Sequence, residues 1–397
     1  NQLNSEIFKG AACVNCDVPK RPYMQVDERR DHSFTIPSPD LTLKLGVPNA
    51  WTDCHQDEKN KDDLWASQQL STWGVQSKKD HWSHLNQRAQ LGDILVTRPL
   101  SEIVEEGVLP DMVRASLLQQ LANMPSRVSV EVAQKSLQDD SPLIRSAAVS
   151  SLQVLPAEIR WKLLSPQLKD ASRSVRFQIA QTLLDVPRQL TGDQQHDLAS
   201  LIDEYRDSLS VSADSPLTQL AIANLEAQLG NSNEAEQAYL QALRIAPNYV
   251  PALINLADYY RRTERESKSE ALFKKALNIA PDSGAAHHGY GLFLVRKQNY
   301  SGALPYLKTA IQQLDAQPRY AYVYAIALDG LGRTDEAIET LVKANQRWPN
   351  QYDLLMTQII YLEKTGNTMS VYKYMSALSY IAPTAPDVKQ LVKTYSH

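Results

Sequence analysis

The second half of this chain repeats with a period of about 34 residues, and this period limits the fold more than any other feature. With the count started at Val250, small residues recur at the eighth, twentieth and twenty-seventh positions, and a large apolar residue recurs at the twenty-fourth. The eighth position holds Ala223, Ala257, Gly291, Ala325 and Ile359, and the twenty-fourth holds Tyr239, Phe273, Leu307, Leu341 and Met375. This spacing predicts two antiparallel helices per repeat that cross at the small residues, with the large residue beside the crossing.

The turns between these helices carry their own signals. Gly230, Gly332 and Gly366 stand between the two helices of their repeats, where a positive φ is useful, and prolines end the second helices. The pattern resembles the tetratricopeptide repeat over residues 216–383, as five repeats followed by a capping helix at 387–395. The match is weakest in the fifth repeat, where larger apolar residues replace the small ones.

A different and shorter period runs through the middle of the chain. Arg114, Arg145 and Arg176 are evenly spaced, and acidic residues precede each of them. This segment, residues 92–215, resembles HEAT-type repeats and includes a linker helix near 196–209. We interpret the arginines as partners of aspartates in neighbouring units, which would brace the turns, rather than as an anion-binding site.

Composition excludes several classes of protein. Apolar residues make up 43% of the 397 residues, and glycine, with 14 copies, is too scarce for a turn-rich β-sandwich. A formal charge of −4 argues against a nucleic-acid partner, and no run of apolar residues is long enough for a transmembrane segment. The chain begins at Asn1 without a methionine or a signal peptide, so we expect a processed product or a fragment.

All three cysteines lie near the N-terminus, in two motifs that each lack one residue of a haem c attachment site. Such a site needs Cys-x-x-Cys-His, which supplies two thiols for the haem and one axial histidine. Cys13 and Cys16 are followed by an aspartate where the histidine would stand. Cys54 and His55 are preceded by a tryptophan where the first cysteine would stand.

With the stretches 18–27, 33–41 and 45–50 around them, these motifs make residues 1–91 resemble the last two-haem segment of exported multihaem c-type cytochromes. In that family, HEAT-like and tetratricopeptide repeats follow in the same order as here. The resemblance implies a periplasmic or extracellular protein, electron transport, and a multihaem cytochrome as a candidate partner. It also places His32 where a distal haem ligand would stand, although a hydrogen-bonded loop histidine explains His32 equally well.

Several interpretations of the N-terminal cysteines stay open. We favour a decayed cytochrome segment that binds no cofactor, because two sites each lack an essential residue. One alternative is a single haem c at Cys54 and His55 with His32 opposite. Another is a zinc site built from Cys13, Cys16, Cys54 and either His55 or His32, since these supply four nitrogen and sulfur ligands. A disulfide between Cys13 and Cys16 is the last.

The first helices of stacked repeats line a concave groove, and this groove is the main candidate binding surface. The fifth and ninth positions of repeats three to five hold His288, Leu292, Tyr322, Ile326, Met356 and Ile360. They form a largely apolar strip with a polar margin of Arg296, Arg319 and Lys364. We expect this strip to dock an amphipathic helix or an apolar peptide, unless the chain's own cap or a neighbouring domain covers it.

The sequence therefore predicts an all-α protein. An irregular cytochrome-like segment (1–91) precedes a HEAT-like array (92–215) and a superhelical solenoid of tetratricopeptide repeats (216–397). No phosphate-binding loop, nucleophile elbow or zinc-protease motif is present, so we expect no enzyme. The predicted function is a non-enzymatic scaffold for a protein or peptide partner. The alternative is an exported electron carrier with one haem.

Overall fold

The computed structural model describes most of the chain, with gaps that fall chiefly near the N-terminus. The described residues are 20–23, 27–30, 38–46, 61–74, 81–186, 190–382 and 385–395. The chain divides into two compact units, Asn1–Gln87 and Arg88–His397. Cys13, Cys16, Cys54, His32 and His55 lie outside the described residues, so the haem, zinc and disulfide hypotheses remain predictions.

The first unit contains a hairpin that the sequence did not indicate. Strands β1 (Lys20–Tyr23) and β2 (Asp27–Arg30) pair antiparallel, with Lys20 opposite Arg30 and Tyr23 opposite Asp27. Both strands are only four residues long, too short to give an alternating pattern in the sequence.

The first unit contains one helix before the point at which the sequence indicated helical structure. Helix α1 (Pro39–Leu45) starts at a proline, whose fixed φ suits the first turn, and Gly46 ends it with a φ of 68°. Helix α2 (Asp63–Thr72) begins where the periodicity predicts it, because the Asp62 side chain caps it by accepting a hydrogen bond from the Trp65 amide. Helix α3 comprises Trp82–Gln90.

The middle of the chain is a stack of short helices. After a short 3₁₀ helix, the helices are α4 (Thr97–Glu106), α5 (Asp111–Ala122), α6 (Arg127–Ser136), α7 (Pro142–Ser151), α8 (Ala157–Leu164), α9 (Arg173–Thr182) and α10 (Gly192–Ser210). Helices α5, α7, α9 and α10 contact one another in that order. Leu118, Ile144 and Ile179 are completely buried between them.

The arginine–carboxylate pairs that the sequence predicted are present in this stack, and we call them the arginine ladder. Each of the three evenly spaced arginines donates hydrogen bonds to a carboxylate that lies further along the chain. The pairs are Arg114 with Asp139, Arg145 with Asp170, and Arg176 with Glu204. Asp170 accepts from Arg145 at both oxygens, at 2.8 and 2.9 Å. The prediction that acidic residues of neighbouring units partner these arginines is confirmed, although the third is a glutamate of α10 that the period did not include.

The ladder continues beyond the arginines that the period identified. Arg160 forms an ion pair with Asp185, and Arg206 Nε donates to Glu226 Oε1 at 2.7 Å. Since Arg206 lies on α10 and Glu226 on the helix that follows it, the last pair joins the linker helix to the first tetratricopeptide repeat. The middle stack and the repeats are therefore tied directly within the second unit.

The C-terminal half consists of five helix pairs and a cap. The helices are α11 (Pro216–Leu229), α12 (Ser232–Ile245), α13 (Val250–Arg262), α14 (Glu266–Ile279), α15 (Gly284–Arg296), α16 (Tyr300–Gln312), α17 (Pro318–Asp329), α18 (Thr334–Arg347), α19 (Tyr352–Lys364), α20 (Thr368–Ile381) and α21 (Pro386–Tyr395). The first helices of successive pairs begin one repeat period apart, and so do the second helices. The predicted repeat of two helices joined by a turn is confirmed in all five helix pairs.

The crossing positions pack as the repeat frame requires. Every residue at the eighth, twentieth and twenty-seventh positions is buried, and of the large residues at the twenty-fourth only Met375 is partly exposed. The two helices of the third repeat cross closely, because a Cβ on Gly291 would lie 2.6 Å from Leu307. A glycine is needed there since the leucine side chain occupies the space that a methyl group would fill.

In every repeat, the turn between the two helices has a residue in the left-handed conformation at the same position. Gly230, Gly332 and Gly366 have φ values of 85°, 75° and 73°, as the sequence indicated. At the same position of the second and third repeats, Glu264 and Gln298 have φ values of 60° and 58°. The repeat frame therefore imposes a strained conformation on these two residues, since side chains with a Cβ disfavour this region.

Candidate functional site

The six predicted groove residues lie on three consecutive first helices, α15, α17 and α19. Leu292 and Tyr322 pack against the same apolar cluster, and Tyr322 also contacts the cluster of the fourth repeat. Met356 packs against the terminal cluster, and Ile326 is partly buried. Ile360 is 50% exposed. The strip thus follows the repeats, with its most accessible apolar side chain in the last one.

His288 differs from the expectation of an accessible groove side chain. His288 is only 8% exposed. Its ring stacks on that of Tyr320 in the next repeat, with 4.3 Å between the ring centroids. Burial lowers the pKa of His288 to about 4, and the nearby charges of Arg319 and Arg296 act in the same direction. His288 is therefore neutral at pH 7 and forms part of the groove floor.

A cleft of about 290 Å³ opens beside Tyr322, at the N-terminal ends of α17 and α19. Its lining residues are Gln317, Pro318, Arg319, Tyr322, Gln351, Tyr352, Asp353 and Leu354. It combines aromatic side chains, two amides and charges of both signs. This cleft continues the strip towards the loops and gives an incoming peptide polar groups beside the apolar ones.

The cap, helix α21, closes the end of the array. Val388 is buried in the terminal cluster, where Leu391 and Tyr395 also pack. Tyr395 donates to Glu363 at 2.8 Å, and Tyr352 donates to Asp387. Because Ile360 stays half exposed with the cap in place, the cap leaves this end of the strip accessible.

Charged residues cluster on the concave positions next to the strip. Asp258, at the ninth position of the second repeat, accepts from Arg261 Nε at 2.8 Å. The same carboxylate lies 3.3 Å from Arg262 Nε and 3.7 Å from Arg296 Nη1. One carboxylate therefore faces three guanidinium groups. The prediction included Arg296 but missed the other three residues, which the same frame would have identified one repeat upstream.

Arg296 experiences an excess of positive charge. Its pKa is lowered from the ordinary arginine value, first by burial and then by repulsion from Arg261. Asp258 offsets part of this repulsion, and Arg319 and Arg262 add smaller repulsions. Within the part of the chain that the structure describes, Arg319 has no ion-pair partner. We name Asp258, Arg261, Arg262, Arg296 and Arg319 the arginine cluster.

Other kinds of site find less support in the described residues. Among them, no group of three or more histidine, cysteine, aspartate and glutamate side chains is arranged to hold a metal ion. The helices of that part of the chain are also too short or too polar to cross a membrane. The haem and zinc ligands proposed from the sequence fall outside these residues, so this search does not test them.

Family comparisons bear on the C-terminal half. Two models described as tetratricopeptide repeat match residues 214–282 and 294–359. These matches coincide with helix pairs that follow one another at the repeat period, so this half of the chain consists of tetratricopeptide repeats. The matches lie outside residues 1–91, whose resemblance to multihaem cytochromes remains a prediction, as does the HEAT-type assignment of the middle array.

Two curated relatives match short parts of the chain. Over 95 residues it is 32% identical to the protein O-mannosyl-transferase Tmtc2 of Drosophila melanogaster, a match that covers 23% of this chain and 10% of that protein. Over 67 residues it is 40% identical to the uncharacterized protein ycf37 of Pyropia yezoensis, a match that covers 15% of this chain and 38% of that protein. The chain thus spans less than two fifths of the length of either relative.

Several solved structures are similar to part of this chain. YrrB, described as a tetratricopeptide repeat protein with an unusual peptide-binding site, is 19% identical, covers 47% of this chain and 96% of its own, and has a TM-score of 0.36. Pseudomonas aeruginosa PilF is 19% identical and covers 49% and 86%, with a TM-score of 0.41. MamA from Desulfovibrio magneticus is 18% identical and covers 46% and 97%, with a TM-score of 0.36.

Proposed function

We propose that this protein is a non-enzymatic scaffold that docks a peptide segment of a partner protein in the groove of repeats three to five. The observation that carries the proposal is the apolar strip on α15, α17 and α19, which includes the half-exposed Ile360 beside the cap. An exposed apolar strip lined by polar groups is typical of a surface that buries a partner's apolar side chains.

Tyr322 is the proposed anchor of this interaction. Its side chain packs against two apolar clusters and lines the cleft between α17 and α19. A side chain held by such packing loses little freedom when a partner covers it, and aromatic anchors contribute a large share of binding energy. We expect Tyr322→Ala to weaken peptide binding by about 2 kcal/mol, or roughly thirtyfold.

The wider biological setting is also a proposal. The resemblance of residues 1–91 favours an exported protein, in the periplasm or outside the cell, whose partner is a multihaem cytochrome. We propose that this segment binds no cofactor, with haem c or zinc as alternatives. An absorption spectrum and a metal analysis of the purified full chain test this part, because a Soret band or stoichiometric zinc would contradict it.

Peptides selected from a random library on the wild-type protein test the groove directly. Binding of the selected peptides is then measured with Ile326→Asp, which places an unpaired charge in the strip and should abolish it. Leu240→Asp is the matched control, since Leu240 is 45% exposed on the second helix of the first repeat, away from the strip. Circular dichroism verifies that both variants fold.

The two variants give opposite expectations. Loss of binding in Ile326→Asp with retention in Leu240→Asp supports docking in the groove. If selected peptides bind both folded variants as they bind the wild type, the strip is not the docking surface.

A further inference from the structure

The arginine cluster has more positive charge than the fold needs for its own packing. In the middle array, Arg145 donates two hydrogen bonds to the carboxylate of Asp170. On the concave face, three arginines share Asp258, at distances that lengthen from 2.8 to 3.7 Å. Arg319 adds a fourth positive charge close to Arg296, without an ion-pair partner among the described residues. Such an arrangement leaves hydrogen-bond donors available for further carboxylates.

The groups around the cluster also favour a bound anion. Arg296 is partly desolvated among like charges, a situation that an added negative charge would relieve. His288 lies beside Arg296 and Arg319, and its buried Nδ1 has no hydrogen-bond partner among the described residues. The neutral histidine therefore does not balance the positive charge of these arginines.

Negative charge lies further along the groove, in the fourth and fifth repeats. Asp329, Asp353 and Glu363 occupy concave positions of the fourth and fifth repeats. Asp329 accepts from Lys364 and Thr334, and Glu363 accepts from Tyr395. The charges along the groove thus change from mainly arginine in the second and third repeats to a mixture in the fourth and fifth, where three carboxylates lie among Arg319 and Lys364. This change of charge along the groove favours one direction of binding for a charged peptide.

We propose that the groove binds a peptide in which a run of acidic residues adjoins apolar residues. The acidic side chains pair with the arginine cluster, and the apolar ones cover Tyr322, Ile326 and Ile360. The planar guanidinium group suits this role because it donates two parallel hydrogen bonds to a carboxylate. This inference rests on the proposed function and specifies the chemistry of its partner.

The test uses fluorescein-labelled synthetic peptides and fluorescence anisotropy with the full chain. One peptide has four glutamates followed by leucine and phenylalanine residues, and its counterpart has four lysines in their place. The variants are Arg296→Glu and Arg319→Glu. Lys308→Glu is the matched control, because Lys308 is exposed on the second helix of the third repeat and the substitution changes the charge equally. Arg296→Lys keeps the charge but not the fork of donors.

We expect the glutamate peptide to bind at least about tenfold more tightly than the lysine peptide at low ionic strength, with the difference shrinking as salt is added. Arg296→Glu and Arg319→Glu should each weaken its binding about tenfold or more, Arg296→Lys less, and Lys308→Glu by less than about twofold.

Three results with the peptides would overturn the inference. These are equal binding of both peptides, absence of binding by the glutamate peptide at low ionic strength, and equal weakening by Lys308→Glu. Tighter binding of a single-stranded oligothymidine than of the glutamate peptide would also overturn it. Equal binding of both peptides that Ile326→Asp still abolishes would leave the proposed docking function intact, so the two failures are distinguishable.

Discussion

The two arrays of this protein differ in the interactions that hold neighbouring helices together. In the array of residues 97–210, arginines reach across to carboxylates of later helices, and the best-formed pair places both Asp170 oxygens on Arg145. In the repeats of residues 216–381, small residues let the helices approach and a large side chain fills the remaining gap, as Phe273 does in the second repeat.

This difference predicts different weaknesses. A buried ion pair offsets its own desolvation only while both partners are present, so the first array should be sensitive to loss of one charge. Close packing of apolar side chains is insensitive to charge but loses stability steeply with volume, so the second array should be sensitive to cavities. Since repeats interact mainly with their neighbours, each effect should stay largely within its array.

The largest expected effect comes from a cavity in the repeat array. Phe273 is 2% exposed and lies against Phe293 and Tyr290, so Phe273→Ala should destabilise the second and third repeats by about 3–5 kcal/mol. Hydrogen exchange followed by mass spectrometry measures this in peptides of residues 250–312. Phe273→Leu, which keeps most of the volume, should cost clearly less. Equal costs for the two variants would contradict the packing argument.

Removal of one ladder arginine should come next. Arg145→Ala leaves the Asp170 side chain, which is 5% exposed, without its charged partner, and we expect a loss of about 2–3 kcal/mol in the first array. The same exchange measurement should find little change beyond residue 226. The double variant Arg145→Met with Asp170→Leu removes both charges and should recover most of the stability. Failure to recover it would show that the methionine and leucine pack poorly or that the arginine acts through other contacts.

Acid should weaken the ladder selectively. Hydrogen bonds from Arg145, Arg160 and Arg176 hold the pKa values of Asp170, Asp185 and Glu204 below their ordinary values of 3.8, 3.8 and 4.5. Because the folded pKa values are lower than the unfolded ones, this stabilisation is complete above the ordinary values and is lost as the pH falls through the folded ones.

Urea unfolding midpoints over a series of pH values check this dependence. Asp170→Asn should be less stable than the wild type at neutral pH and should lose less on acidification, since it lacks one of the titrating groups. Parallel curves for the two proteins would show that Asp170 does not contribute to the acid sensitivity.

The smallest expected effect is a gain in stability. Gln298 has a φ of 58°, at the position that Gly230 and Gly332 occupy in other repeats, so Gln298→Gly should stabilise the third repeat by up to about 1 kcal/mol. The change in thermal midpoint measures it. Gly332→Ala, which makes the reverse exchange, should destabilise by a similar amount. A loss of stability in Gln298→Gly would mean that the glutamine side chain makes compensating contacts.

Much of the repeat array could be predicted from the sequence. The positions of small and large residues followed from the period of the repeats, because burial at a helix crossing restricts residue size at each turn of the frame. The arginine ladder was predictable in kind from the even spacing of its arginines. The choice of Glu204 was not, since α10 lies outside that spacing and reaches Arg176 only through tertiary packing.

The candidate site was predictable only in part. The groove positions of Tyr322, Ile326 and Ile360 followed from the frame, whereas the burial of His288 did not. Its exposure depends on Tyr320 of the next repeat, whose ring covers it. Of the arginine cluster, Arg296 and Arg319 were predicted at the groove margin, whereas Asp258, Arg261 and Arg262 lie one repeat upstream of the positions that the prediction covered. The approach of Asp258 to Arg296 depends on the packing of the second repeat against the third.

The sequence by itself determined the helical repeats, their register and the residue sizes at each crossing, because these depend on local periodicity and on contacts between adjacent elements. Only the tertiary structure decided which charges meet and which side chains stay exposed. It brought Arg296 within 3.7 Å of Asp258 and close enough to Arg319 for the two charges to interact. It also brought Asn350, between the fourth and fifth repeats, to donate a hydrogen bond at 2.7 Å to the carbonyl of Gly92. Such contacts depend on how each repeat is rotated on the next, and no period in the sequence records that rotation.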